Sequence, residues 1–198
     1  MSSSFTISAG GALLLVEPIA PLAELEATAD ERDLLTVEGF TSASRRAERL
    51  AWRRVLRRIS PDAEVTYEES GAPQLKNSPY THISVSHCRD CVAVVLSCRK
   101  CCVDVELRER NFERVTERYI SQAERALCKE AWWLAAVWCA KECLYKHGGR
   151  EGVDFRRDII IEGVAMGAEQ ILCRGVDGAA VTLKYALPDE NHIVVYAL

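Results

Sequence analysis

A mixed α+β fold, with helices and antiparallel strands grouped in blocks, is predicted by three features of this 198-residue chain. An arginine-rich helical period runs over residues 42–59. Three short alternating apolar segments follow one another over 82–106. A long helical pattern over 111–146 then gives way to four strand-like segments that reach the C-terminus. Blocks of helices and strands, rather than strict β-α alternation, favour antiparallel sheets with helices packed to one side. A chain of this length buries about two-thirds of its unfolded surface, so it builds a core without a disulfide or metal staple.

Taken in order, the first strand is expected at 12–17, where Ala12-Leu13-Leu14-Leu15-Val16 precedes Glu17. Pro18 and Pro21 break the chain, and helix-favouring polar residues run to about Thr36. Ser42 is the expected N-cap of the helix over 42–59. Ala43, Ala47, Leu50, Val55 and Leu56 are its less polar positions, and Arg45, Arg46, Arg49, Arg53, Arg54, Arg57 and Arg58 are placed outside. Pro61 stops it. Residues 65–69 alternate like an exposed strand, and Ser70-Gly71-Ala72-Pro73 with Asn77-Ser78-Pro79 reads as a loop. Strands at 82–87, 91–97 and 101–106, joined by tight connections at Arg89-Asp90 and Arg99-Lys100, form the pattern of a β-meander. Helix dominates 111–146 and Gly148-Gly149 ends it. Strands are expected near 159–162, 170–174, 179–187 and 192–198.

Charge and hydropathy exclude several function classes. With 25 Lys and Arg against 29 Asp and Glu, the net charge is -4, so no chain-wide basic field exists to coat a nucleic acid. No apolar run approaches the roughly eighteen residues of a membrane span. The start carries no basic segment and its apolar stretch is short, which predicts no secretory signal and a cytoplasmic location. Nine cysteines, an odd number, read as reduced thiols acting as small hydrophobes.

Four segments offer chemistry. In Val103-Asp104-Val105-Glu106 the strand period puts both carboxylates on one face; side by side they repel unless a cation neutralises them, and hard oxygen ligands suit Mg²⁺. An exposed strand with an acidic polar face would carry the same pattern. Trp138, Glu142 and Lys146 fall at i, i+4 and i+8, on one helical stripe with Lys141 beside them. A solvated Glu–Lys pair is the alternative. Ser86-His87 ends a strand, where ligands are often met, or simply caps a turn. Ser121 and Glu124 have the spacing of a capping box, which explains both without chemistry.

In order and spacing, Gly71-Ala72-Pro73, the 83–87 strand, the 103–106 strand, Tyr119 to Glu124 and Trp138 to Lys146 resemble the 4'-phosphopantetheinyl transferase superfamily, in its monomeric two-half form. The resemblance covers about residues 53–152. It implies two similar α+β halves, each a helix packed on an antiparallel β-meander, with a pseudo-twofold relation and the active site in the cleft between them. The halves would be 1–108 and 109–198. It implies transfer of the 4'-phosphopantetheine arm of coenzyme A to a serine of an apo acyl or peptidyl carrier protein, with release of 3',5'-ADP. By the resemblance, Asp104, Glu106 and Glu142 hold Mg²⁺, or Mn²⁺ in its place. Arg53, Ser86 and His87 meet the 3'-phosphate end of coenzyme A, Lys146 with Lys141 beside it meets the reacting phosphate, and Glu124 is the general base. Ala72 replaces the family's usual basic residue, and Cys102 a usual glycine.

Two alternatives stay open. One is a non-catalytic relative that binds coenzyme A or a carrier protein. The other is a zinc-stabilised binding module, because Cys88-Arg89-Asp90-Cys91 and Cys98-Arg99-Lys100-Cys101 both have C-x-x-C spacing. The six residues between the pairs are fewer than paired zinc knuckles use.

Overall fold

The computed structural model describes residues 4–68, 71–148 and 152–198. Glu69, Ser70 and Gly149, which the sequence placed in a strand end, a loop and a helix stop, lie outside the described residues. Two antiparallel sheets pack face to face, each covered on its outer side by one long helix, so the α+β prediction holds.

The first sheet has six strands in the order β1-β2-β6-β5-β4-β3. β1 (Phe5–Ala9) and β2 (Ala12–Pro18) form a hairpin around Gly10 and Gly11, both at positive φ, as a two-residue turn between right-twisted strands requires. The sequence reading had missed β1. Two short helices, α1 (Leu22–Thr28) and α2 (Glu31–Leu35), lead to α3 (Ala43–Ile59). Ser42 caps α3 as expected, accepting the Arg45 N–H at 3.4 Å. Its apolar face of Ala47, Leu50, Ala51, Val55 and Leu56 packs on the sheet. β3 (Glu64–Tyr67) and β4 (Pro73–Lys76) then pair, β4 occupying part of the expected loop. β5 (His82–His87) and β6 (Cys91–Ser97) pair residue for residue where predicted.

The arginine face of α3 departs from expectation. Arg53 is buried, and its guanidinium lies 2.8 Å from Asp33, which also takes Arg57. Arg46, Arg54 and Arg58 are paired with Glu26, Glu24 and Glu17. Most of the charge is neutralised within the first half.

The meander prediction fails at its third strand. β7 (Cys102–Leu107) leaves β5 and β6 and pairs with β11 (His192–Ala197), at the edge of the second sheet. That sheet runs β7-β11-β10-β9-β8, with β8 (Ile160–Ala165), β9 (Gln170–Arg174) and β10 (Ala180–Ala186) close to their predicted positions. The helical stretch over 111–146 comes in pieces: a 3₁₀ turn at Phe112–Val115, α4 (Thr116–Tyr119) and α5 (Gln122–Arg125) precede α6 (Trp133–Gly148).

Alternation along the strands explains the layering. On β6, Val92, Val94 and Leu96 face α3, whereas Cys91, Ala93 and Val95 face the second sheet. On β11, Ile193 and Val195 face α6, whereas Val194 and Tyr196 face the first sheet. Strands buried on both faces read as continuous apolar runs, as these do.

Candidate functional site

The site begins with β7. Val103 and Val105 join the core between the sheets, which turns Asp104 and Glu106 toward α6, on the face of buried Cys102. Both carboxylates are buried, so the reading of a solvated acidic strand does not describe them. The outer edge of β7 is closed by two serines of β5: Ser84 Oγ accepts the Val103 N–H at 3.1 Å and Ser86 Oγ the Val105 N–H at 3.3 Å. Ser86 also donates to Asp104 Oδ1 at 2.6 Å.

α6 brings its stripe over these groups. Lys146 Nζ lies 2.7 Å from Asp104 Oδ1 and donates to the Val103 carbonyl at 3.1 Å, so this lysine is tied to β7. Trp138 packs among Phe112, Tyr119 and Phe155, and Glu142 is half-buried between the two. Arg110, which stacks on Phe112 and Trp138, pairs with Glu106.

The electrostatics report a crowded anion cluster. Burial pushes the Glu106 carboxyl up to about 7, with Asp104 adding to the rise and Arg110 opposing it. Glu142 is raised by burial and then by Asp104, against Lys146 and Arg110. Burial works against the Lys146 charge, but Asp104 and its other acidic neighbours outweigh it and raise its pKa. Asp104 Oδ2 is buried without a hydrogen-bond partner. A buried carboxylate oxygen left unpaired is costly, and a hard cation is the ligand such an oxygen among raised carboxyls accommodates. A divalent metal would satisfy this oxygen, although Asp104, Glu106 and Glu142 do not bring three carboxylate oxygens within 4.8 Å of one another.

Other candidates are placed elsewhere. Glu124 is buried with its oxygens engaged: Oε2 accepts the Ser121 N–H at 2.7 Å, and Oε1 accepts the Ile161 N–H at 2.8 Å and lies 2.7 Å from Lys141 Nζ. Lys141 is fully buried, also donates to the Phe155 carbonyl at 2.9 Å, and has a pKa lowered by burial despite Glu124. The capping box is present, and this pair joins α5, α6 and β8 rather than facing an opening. Ser86 and His87 point to opposite faces of β5, Ser86 to Asp104 and His87 to Glu48 of α3 at 3.5 Å. Ser86 and His87 therefore face different surroundings, and Arg53, held by Asp33, lines none of the three hollows below.

Three hollows surround these elements. One of about 590 Å³ lies between the halves, walled by Gly71, Ala72, Pro73 and Ser84 from the first and by Tyr145 and Lys146 from the second, with Lys100 between them. A second, of about 460 Å³, holds His87, Arg45 and Arg49. A third, of about 710 Å³, is lined by Glu142 and Trp138 and by Arg118, Arg156 and Arg157. The carboxylate cluster thus reaches the first hollow through Lys146 and the third through Glu142. Ser84, Lys100 and Arg110 were not singled out from the sequence. The two-residue spacing of Ser84 and Ser86 on one strand face was the available signal for Ser84; Lys100 and Arg110 sit in turns, where no period marks a face.

Residues 101–195 match the family model described as the 4'-phosphopantetheinyl transferase superfamily. The superfamily read from the motifs is the one matched, and a phosphopantetheinyl transfer role in general is supported. The span takes in β7, α6 and β8 to β10 and most of β11. Comparison with curated proteins finds no match to the chain. No helix among the described residues is long and apolar enough to cross a membrane.

Proposed function

We propose that this chain is a holo-carrier-protein synthase: it moves the 4'-phosphopantetheine arm of coenzyme A to a serine of an apo acyl or peptidyl carrier protein and releases 3',5'-ADP. The observation that carries the reading is the unpartnered, buried Asp104 Oδ2 among the raised carboxyls of Glu106 and Glu142, beside Lys146. Asp104, Glu106 and Glu142 would hold Mg²⁺ or Mn²⁺, which when bound neutralises phosphate charge and so lowers the barrier to displacement.

The chain's own residues do the rest. Ser86 and Lys146 both bond Asp104 Oδ1 and so fix its orientation, leaving Oδ2 as the oxygen that would take a metal. Lys146 and Lys100 bring positive charge to the hollow between the halves, where Ala72 lacks the family's usual basic side chain, and this hollow receives the coenzyme phosphates. Arg45 and Arg49, in the hollow that His87 and Glu48 also line, offer a second pair of guanidiniums to the 3'-phosphate end. Glu142 is the carboxylate of the three that lines an open hollow, so an incoming serine hydroxyl meets it first. Glu124 and Lys141 serve as the rigid support of α6, because both oxygens of the expected general base are already taken. Arg118, Arg156 and Arg157 at the Glu142 hollow, the last two shared with Glu117 and Asp154, would meet an acidic carrier protein, and a chain that supplies both walls of its cleft works as a monomer.

The test is intact-mass spectrometry of a purified apo carrier protein after incubation with the chain, coenzyme A and Mg²⁺. Gain of one phosphopantetheine arm, lost without divalent metal, is expected. Several carriers left unmodified while coenzyme A still binds would instead identify a non-catalytic relative.

A further inference from the structure

The described residues bring one set of three or more His, Cys, Asp and Glu donor atoms within 4.8 Å of one another, and it is not the acidic cluster: it is Cys88, Asp90, Cys91 and His192. Cys88 and Cys91 belong to the β5–β6 turn, closed by the Cys88 N–H donating to the Cys91 carbonyl at 3.0 Å. His192 comes from the second sheet, at the start of β11. The two sulfurs are 3.3 Å apart, Cys88 Sγ is 3.4 Å from Asp90 Oδ1, and His192 Nε2 is 2.9 Å from the same oxygen. Both thiols and the imidazole are buried.

The geometry points to a structural Zn²⁺ site formed by Cys88 Sγ, Cys91 Sγ, His192 Nε2 and an Asp90 carboxylate oxygen, clamping the two sheets together. Two thiolates and an imidazole are the donors that suit zinc, and four protein ligands leave no open position, as structural sites require. Zinc bonds of about 2.0–2.3 Å at tetrahedral angles set donors about 3.3–3.8 Å apart, so the three separations of 3.3, 3.4 and 2.9 Å need to open by only a few tenths of an ångström, and the remaining ones are within 4.8 Å. His192 carries the outer partner that zinc-bound imidazoles have: its Nδ1 lies 2.9 Å from the Asp189 carboxylate, which fixes Nε2 toward the sulfurs. As the metal binds, the two cysteine sulfurs and His192 Nε2, which faces the Asp90 carboxylate, give up their protons to solvent. Cys98 and Cys101 take no part, Cys98 being exposed and bonded to the Pro79 carbonyl and Cys101 packed between the sheets. The zinc class weighed from the sequence therefore concerns one cysteine pair, completed by a histidine more than a hundred residues away. His192 is paired with Leu107 in the sheet register, next to Glu106, so the clamp holds the end of the strand that carries the carboxylates.

The test uses the full reduced chain, and needs neither coenzyme nor carrier protein. Elemental analysis is expected to give one zinc per chain that survives dialysis against EDTA and leaves when the thiols are blocked with a mercurial. Co²⁺ added to the stripped chain should produce sulfur-to-cobalt charge-transfer absorption and intense tetrahedral d–d bands. Asp189→Asn should weaken zinc binding about 10–100-fold, as loss of an outer partner does, and Cys98→Ser should leave it unchanged. The Cys88→Ser/Cys91→Ser chain should hold no zinc; if it does not fold, the cobalt spectrum of the unaltered chain decides. Absence of zinc and of a tetrahedral cobalt spectrum, or a Cys88–Cys91 disulfide found by peptide mapping in metal-replete protein, overturns the site.

Discussion

Two buried carboxylate–lysine pairs sit under the same helix at the same separation of 2.7 Å, and they do different things. Glu124–Lys141 is closed: the pair is 3% and 0% exposed, and backbone N–H and carbonyl groups complete the coordination of both partners. Asp104–Lys146 is open: Asp104 keeps an unpartnered oxygen, Lys146 is 29% exposed on a cavity wall, and Asp104 adds to the raised pKa of two further carboxyls, Glu106 and Glu142. An ion pair in a protein interior is therefore not informative by its distance. What separates a support from a site is whether the donors and acceptors around the pair are used up.

The largest expected effect breaks the open pair. Glu142→Gln or Asp104→Asn should lower carrier modification at least about 10²–10³-fold, the scale of losing one well-placed electrostatic partner, while the circular dichroism spectrum, and for Glu142→Gln the melting temperature, change little. Transfer at the level of the unaltered chain in either variant would overturn the metal assignment. The closed pair should respond in the opposite way. Lys141→Met leaves the Glu124 charge buried and uncompensated, which costs about 3–5 kcal/mol of stability; denaturant unfolding should show this, with the activity of the remaining folded fraction preserved.

A smaller effect is a pH dependence. The Glu106 carboxyl is raised from 4.5 to about 7 in the folded chain, so between these values the folded state holds a proton that the unfolded chain has released. Stability without divalent metal should fall as pH rises through that window. If Glu106 is a metal ligand as proposed, Mg²⁺ should restore it most at and above pH 7, where the carboxyl is ionised. Melting curves across this range with and without Mg²⁺ check both signs, and a curve that rises with pH in metal-free buffer would contradict them. The smallest effect separates the two serines of β5. Ser84→Ala and Ser86→Ala each leave a buried β7 N–H unpaired, at about 1–3 kcal/mol, but Ser86→Ala also frees Asp104 and should alone raise the Mg²⁺ concentration needed for half-maximal transfer.

Much of this arrangement was legible in local pattern. The period of 2 in Val103-Asp104-Val105-Glu106 places both acids on one face whatever the sheet, and the period of 3.6 puts Trp138, Glu142 and Lys146 on one stripe of α6. Ser121 and Glu124 announced their own capping box. These are short-range regularities, set by covalent geometry within a few residues. Arg53 was misplaced for the same reason: the helical period says which side chains share a face, and an arginine on that face is buried only because Asp33, on a different helix, waits there.

What the tertiary structure alone decided is partnership. β7 looks like the third strand of a hairpin series, yet it pairs with β11, about ninety residues on, and there Val103 and Val105 fill the space between the two sheets. That exchange turns Asp104 under α6 instead of into solvent, sets Lys146 on it, and brings His192 to Cys88 and Cys91. Alternation in a sequence determines which residues face the same way; what they face depends on long-range burial, a sum over surfaces that no window of the chain contains.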